Sequence, residues 1–327
     1  MDNSMKSKYL ENGMHLLYLD QCVTSRLVQA NEDAGWREVR ILLEKGRARR
    51  RTLVPLSLEH LVETAPMSET AGAETDTLLR HLSFGWGLKM EPLLIAAQVN
   101  AGVRGMPLGK TSFLGKNLYH VLSPENRDQL IAIKDEMKEQ NEKNLQDYNT
   151  VVGITKKNNS PSVVTLEFLL SLQTTNDIRA FVAELDETIQ TGGVRIKPDP
   201  YSPNAADRFT TIILLLIRHH HFNGASLAKL KAMIGRNGLS WIPTLHIKSV
   251  LHAHSMFLQT KIREGDTHDN ARIACGLPVA DILVTDSRKV RAITEAGLDV
   301  AYKTRVFSTK EDGRDHLIEI LRKITAS

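Results

Sequence analysis

Hydrophobic positions in this chain fall into short continuous runs near both ends and into helical periods between them. The run MHLLYLD (14–20) is apolar, follows Glu-Asn-Gly and closes on an aspartate, the pattern of a buried strand. VTSRLVQA and DAGWREVRILLEKG have helical spacing and a glycine near the end, which predicts helices. TLVPLS (52–57) predicts a second strand, and LEHLVETA behind it a helix with Ser57 as N-cap. From about 68 to 148 the pattern is helical and charged, and MKEQNEKNLQDY reads as a solvated helix. TKKNNSPS (155–162) and TGGVRIKPDPYSPN (191–204) are rich in turn formers and predict loops or linkers. ADRFTTIILLLIRHHHF and PTLHIKSVLHAHSMFLQTKIRE are long helical stretches.

The C-terminal part alternates again. DTHDNARIACG predicts a helix, DILVTD a strand, SRKVRAITEAG a helix, DVAYKT a short extended piece and GRDHLIEILRKI a last helix. Strands separated by helices at both ends predict an α/β fold, with a mostly parallel central sheet flanked by helices and a large helical insertion. The first and last strands then share one sheet.

Composition narrows the class. The longest apolar run, TTIILLLI, meets Arg-His-His-His well short of the roughly 20 residues that span a bilayer. The start, MDNSMKSKYLENG, is too polar for a signal peptide. Two cysteines, Cys22 and Cys275, argue against a disulfide framework and suit a reducing cytoplasm. A net charge of +4 is modest, but KGRARRR (45–51) concentrates it. Such a cluster could meet phosphates, or end a helix in solvent.

The chemistry lies in the carboxylates. In an open parallel sheet, functional groups gather beyond the carboxyl ends of the strands. Asp20 and Asp286 each end a predicted strand there. Asp281 starts the strand that Asp286 ends, and at about 3.3 Å per residue the two lie on the order of 16 Å apart. One metal centre cannot use both. Asp266 and Asp269, three apart at a helix start, share a face, although capping by Asp266 alone is the plainer reading. Glu63 and Glu59 share a face of the helix after the second strand, and spacing does not choose between them.

Clustered carboxylates raise one another's pKa unless a cation is present. Oxygen-only donors select hard ions, Mg²⁺ or Mn²⁺, and such ions suit phosphodiester hydrolysis by an activated water. Arg272 and Arg288 flank the acids and could hold a phosphate or form a structural ion pair. Other candidates are weaker. Three adjacent histidines, 219 to 221, fan out by about 100° each and cannot all face one ion. His246, His252 and His254 are not four apart.

LYLDQCVTSRLV, VPLSLEHLVET and GDTHDNARIACGLPVADILVTDSR, in this order, resemble the PIN-domain nucleases, especially their larger bacterial PIN-like branch. The resemblance covers roughly the first 65 and last 85 residues. It implies a PIN-like domain built from 1–66 and 241–327, with 67–240 as a helical insertion. It implies Asp20, Glu63, Asp269 and Asp286 as the catalytic and metal-holding acids, with Asp266 a fifth ligand. The family's helical Glu falls six residues past a serine like Ser57, which selects Glu63. The implied activity is Mg²⁺- or Mn²⁺-dependent cleavage of nucleic acid; the resemblance leaves RNA and DNA open, and RNA is the expected substrate. A homo-oligomer or an inhibitor protein would be a further partner. Two positions depart from the pattern: the family's Thr-Asn after the first acid is Gln21-Cys22, and a frequent His is Arg272. The first departure keeps a second reading open, a nucleic-acid-binding or scaffolding module without turnover.

Overall fold

The computed structural model describes residues 13–116, 165–194, 205–258 and 264–326, with isolated helical positions between 128 and 135. The predicted helix MKEQNEKNLQDY and the linker TKKNNSPS lie outside the described residues, as does most of the second linker. The chain divides into two compact units. One comprises Met1–Lys89, Gly109–Lys134 and Cys275–Ser327, the other Met90–Leu108 and Asp135–Ala274.

The first unit is α/β. Its sheet has four strands in the order β2-β1-β5-β6, where β1 is His15–Leu19, β2 Thr52–Leu53, β5 Ile282–Thr285 and β6 Arg305–Ser308. All neighbours are parallel, with Leu17 opposite Ile282 and Leu19 opposite Val284. The first strand and the last therefore share a sheet, as the pattern at the two chain ends predicts. Strands β1 and β5 are buried except at the first residue of β1, which is why both read as unbroken apolar runs. Helix α1 (Gln21–Val28) leaves β1, and α2 (Ala34–Ala48) packs against the last helix of the chain, Glu311–Ala326. Leu17, Leu19, Val23, Leu27, Trp36 and Leu317 belong to the core formed there.

Two elements differ from expectation. DVAYKT is not extended: Leu298–Tyr302 is a single helical turn between left-handed Gly297 and Lys303, and the strand lies just beyond it at β6. The Thr304 hydroxyl fixes this corner by donating to the carbonyls of Leu277 and Ala280, at 2.8 and 3.0 Å. Strand β2 is shorter than TLVPLS, because Pro55 has no N–H to continue a ladder. Leu56 instead bridges Gly87 in β3 (Trp86–Leu88), which pairs antiparallel with β4 (Leu114–Lys116), a small second sheet inside the region read as helical.

The basic cluster serves helix ends. Arg47 donates to the His81 carbonyl in the last turn of Glu69–Ser83 and lies over the Phe84 ring, and Arg49 donates to the Thr325 carbonyl in the last helix. Its position is the amino edge of the sheet, where the Arg51 carbonyl accepts from His15 at the start of β1.

The second unit is helical. Its helices are α5 (Glu91–Arg104), α7 (Leu166–Thr191), α8 (Ala205–His220), α9 (Gly224–Asn237), α10 (Pro243–Leu258) and all but the end of α11 (Glu264–Gly276). Phe181 and Phe209 stack at its core, with ring centroids 4.5 Å apart. Polar ties cross the bundle: Gln98 and Thr244 exchange two hydrogen bonds, and Asp177 accepts from Arg208 and Ser249. Among the described residues no helix is long and apolar enough to cross a membrane.

Candidate active site

Strands β1 and β5 end side by side, and an aspartate follows each. Leu19 lies opposite Val284, so Asp20 falls opposite Thr285, one strand spacing of about 4.8 Å away, and Asp286 is the next residue. Both acids have extended backbones and cap the helices that follow. Asp20 Oδ1 accepts from the Gln21 N–H at 2.7 Å. Its Oδ2 accepts from the Thr285 hydroxyl at 2.7 Å, a bond between two buried side chains on adjacent strands. Asp286 Oδ1 accepts from the N–H groups of Arg288 and Lys289, which start α12 (Ser287–Glu295). Its Oδ2 has no hydrogen-bond partner among the described residues.

Asp281 takes no part. It sits at the amino end of β5, where its carboxylate accepts from the Leu16 N–H at 2.8 Å and its own N–H donates to the Leu16 carbonyl. This acid holds register between β1 and β5. Nearby, a Cβ on Gly276 would lie 2.7 Å from the Tyr18 ring, so the chain entering β5 packs directly on β1 only because that side chain is missing.

Helix α3 (Leu58–Thr64) carries Glu63, which is half-buried, and His60 one turn before it on the same face. His60 is 2 % exposed and was not singled out by its type or spacing. Its Nε2 donates to the Leu19 carbonyl at 2.7 Å, and its Nδ1 accepts from the Ser57 N–H at 3.1 Å. A carbonyl can only accept and an N–H can only donate, so these partners fix the neutral Nε2–H tautomer. Ser57 caps the same helix, as its position predicts.

The remaining expected acids belong to the second unit. Asp269 and Arg272 form an i, i+3 pair 3.5 Å apart on α11, with the Arg272 side chain 7 % exposed. Such burial suits an ion pair better than capture of a substrate phosphate. Asp266 is in the same helix, and its side chain lies outside the described residues. Arg288 is different: its side chain is 53 % exposed and its Nε lies 3.6 Å from Asp286 Oδ1.

Among the described residues no group of three or more His, Cys, Asp and Glu side chains is placed to hold a metal ion. Two carboxylates at one sheet edge nonetheless fit a small hard ion. Mg²⁺ typically takes one or two protein carboxylates and keeps waters and substrate phosphates as its other ligands. The open Oδ2 of Asp286 is of this kind. The Gln21 amide, one residue past Asp20, is buried with neither polar atom hydrogen-bonded to a described residue. A group of this sort is ordinarily satisfied by water or a ligand.

No family model, curated protein or solved structure matches this chain.

Proposed function

We propose that this chain is a PIN-like nuclease that hydrolyses phosphodiester bonds, in RNA before DNA, with Mg²⁺ or Mn²⁺ as its cofactor. One observation carries the reading: Asp20 and Asp286 end adjacent parallel strands, and a hydroxyl between those strands holds one of them in place. Asp20 and Asp286 would hold the ion, Glu63 would be a further acid from α3, and 67–240 would be the helical insertion within the PIN-like domain. When bound, a hard divalent ion supplies a more acidic water and offsets phosphate charge.

The protein's own groups do the rest. Thr285 directs the Asp20 carboxylate by donating its hydroxyl to Oδ2. The exposed guanidinium of Arg288, beside Asp286, would receive a phosphate.

Cleavage of end-labelled single-stranded RNA and DNA with Mn²⁺, with and without chelator, tests the reading. Wild type cuts RNA faster than DNA and only with metal. Asp20→Asn, which preserves the helix cap, loses more than about 100-fold in rate, since even outer partners of a metal ligand cost 10- to 100-fold. Cleavage that survives Asp20→Asn contradicts the assignment. Retained RNA binding by a wild type that never cleaves identifies a binding module instead.

A further inference from the structure

We infer that His60 is a positioning residue: it replaces a missing strand partner and thereby fixes the peptide that precedes Asp20. This inference rests on the nuclease reading and adds to it a residue outside the acid set.

Hydrogen bonding along β1 alternates. Odd positions face β2, as His15 shows by donating to the Arg51 carbonyl. Even positions face β5: the Leu16 carbonyl accepts from Asp281, and the Asp20 N–H donates to the Val284 carbonyl at 3.0 Å. The Leu19 carbonyl therefore points to the side of β2. That strand ends at Leu53, opposite Leu16, three residues too early to reach it. Leu19 is fully buried, and a buried carbonyl needs a donor. His60 Nε2 supplies one at 2.7 Å.

The Leu19 carbonyl and the Asp20 N–H are the two ends of one peptide bond. With His60 on one side and Val284 on the other, that planar group cannot rotate. The Cα of Asp20 is set by it, and the Thr285 hydroxyl then directs the carboxylate. His60 also seats α3, because the opposite ring nitrogen is held by the Ser57 N–H. Glu63 follows on that helix. One imidazole thus relates two of the proposed acids, although it touches neither carboxylate in the bonds described above.

Three variants separate this role from plain helix capping. His60→Gln keeps both contacts, since a glutamine at this position can accept from Ser57 and donate to Leu19. His60→Asn is shorter, keeps only the cap and leaves Leu19 unserved. Ser57→Ala removes the hydroxyl cap and its 3.0 Å contact with Nδ1 but leaves the Ser57 N–H and the Leu19 carbonyl to hold the ring. Single-turnover RNA cleavage is measured for each across a Mn²⁺ series, beside circular dichroism and hydrogen exchange of the peptide around Asp20. His60→Asn should lose about 10- to 100-fold in rate or Mn²⁺ affinity and show faster exchange at Asp20. His60→Gln should fall within about threefold of wild type, and Ser57→Ala should keep its Mn²⁺ dependence while melting earlier. A folded His60→Asn protein with wild-type rate and Mn²⁺ midpoint overturns the positioning role alone. If His60→Asn does not fold, a His60→Gln protein that folds but stays as slow as Asp20→Asn also overturns it. A wild type with no Mn²⁺ response removes the nuclease reading, and this inference with it.

Discussion

The hydroxyl of Thr285 reaches from β5 to the carboxylate of Asp20 in the candidate site, and its removal is a clean residue-scale test. Thr285→Val keeps the shape but deletes the donor to Asp20 Oδ2, and it should cost about 1 kcal/mol of stability for the lost buried bond. Its cleavage rate should fall 10- to 100-fold, as for other partners of metal ligands, and Thr285→Ser should recover most of it. Denaturant melts and single-turnover rates on the three proteins check both effects. At this scale the sequence was informative where position alone decides. Asp20 and Asp286 end apolar runs, and Asp281 begins one, so their separation to opposite edges of the sheet could be read from strand polarity. His60 was not legible, because the carbonyl it serves is 41 residues away and becomes orphaned only when β2 stops short. A histidine three residues after a capping serine was the one local hint.

Among elements, α12 is capped by a residue of the candidate site. Asp286 satisfies the first N–H groups of α12, so Asp286→Ala should cost about 1 kcal/mol in thermal or denaturant unfolding. Asp286→Asn, an equally good cap, should cost little. Helix α10 carries a pH-dependent term. Burial holds His246 below its ordinary value of 6.5. Below that value the unfolded chain takes up a proton that the folded chain resists, so the second unit should lose stability as pH falls through the range just under 6.5. His246→Gln should flatten that slope, as thermal melts between pH 7.5 and 5 would show. Elements were less legible than residues. The pattern DVAYKT has strand-like residues, yet Gly297 and Lys303 both adopt left-handed backbones and close a helical turn between them. The pairing of β3 with β4 joins Trp86 to Lys116 and Leu88 to Leu114, positions far apart in the chain, and a helical period either side conceals both.

For the whole molecule, the arrangement of charge in the first unit matters more than its total. The acids occupy the carboxyl edge of the four-stranded sheet, while the densest basic cluster lies at the amino edge and has two of its guanidiniums committed to helix carbonyls. Arg288, and not KGRARRR, therefore lies beside Asp286. The α/β class and the parallel sheet were legible from alternation of strands and helices at the two ends of the chain. Division into two units was less so, because α11 begins in one and ends in the other with no break in its helical period.

The central claim is that Asp20 and Asp286 together hold a hard divalent ion. Calorimetric titration of Mn²⁺ into wild type and Asp286→Asn tests it most directly, since the substitution keeps the helix cap and removes only the charge. Saturable binding by wild type, weakened at least about 100-fold in a variant of equal melting temperature, is the predicted result. Equal binding by both proteins, or none by wild type, would contradict it.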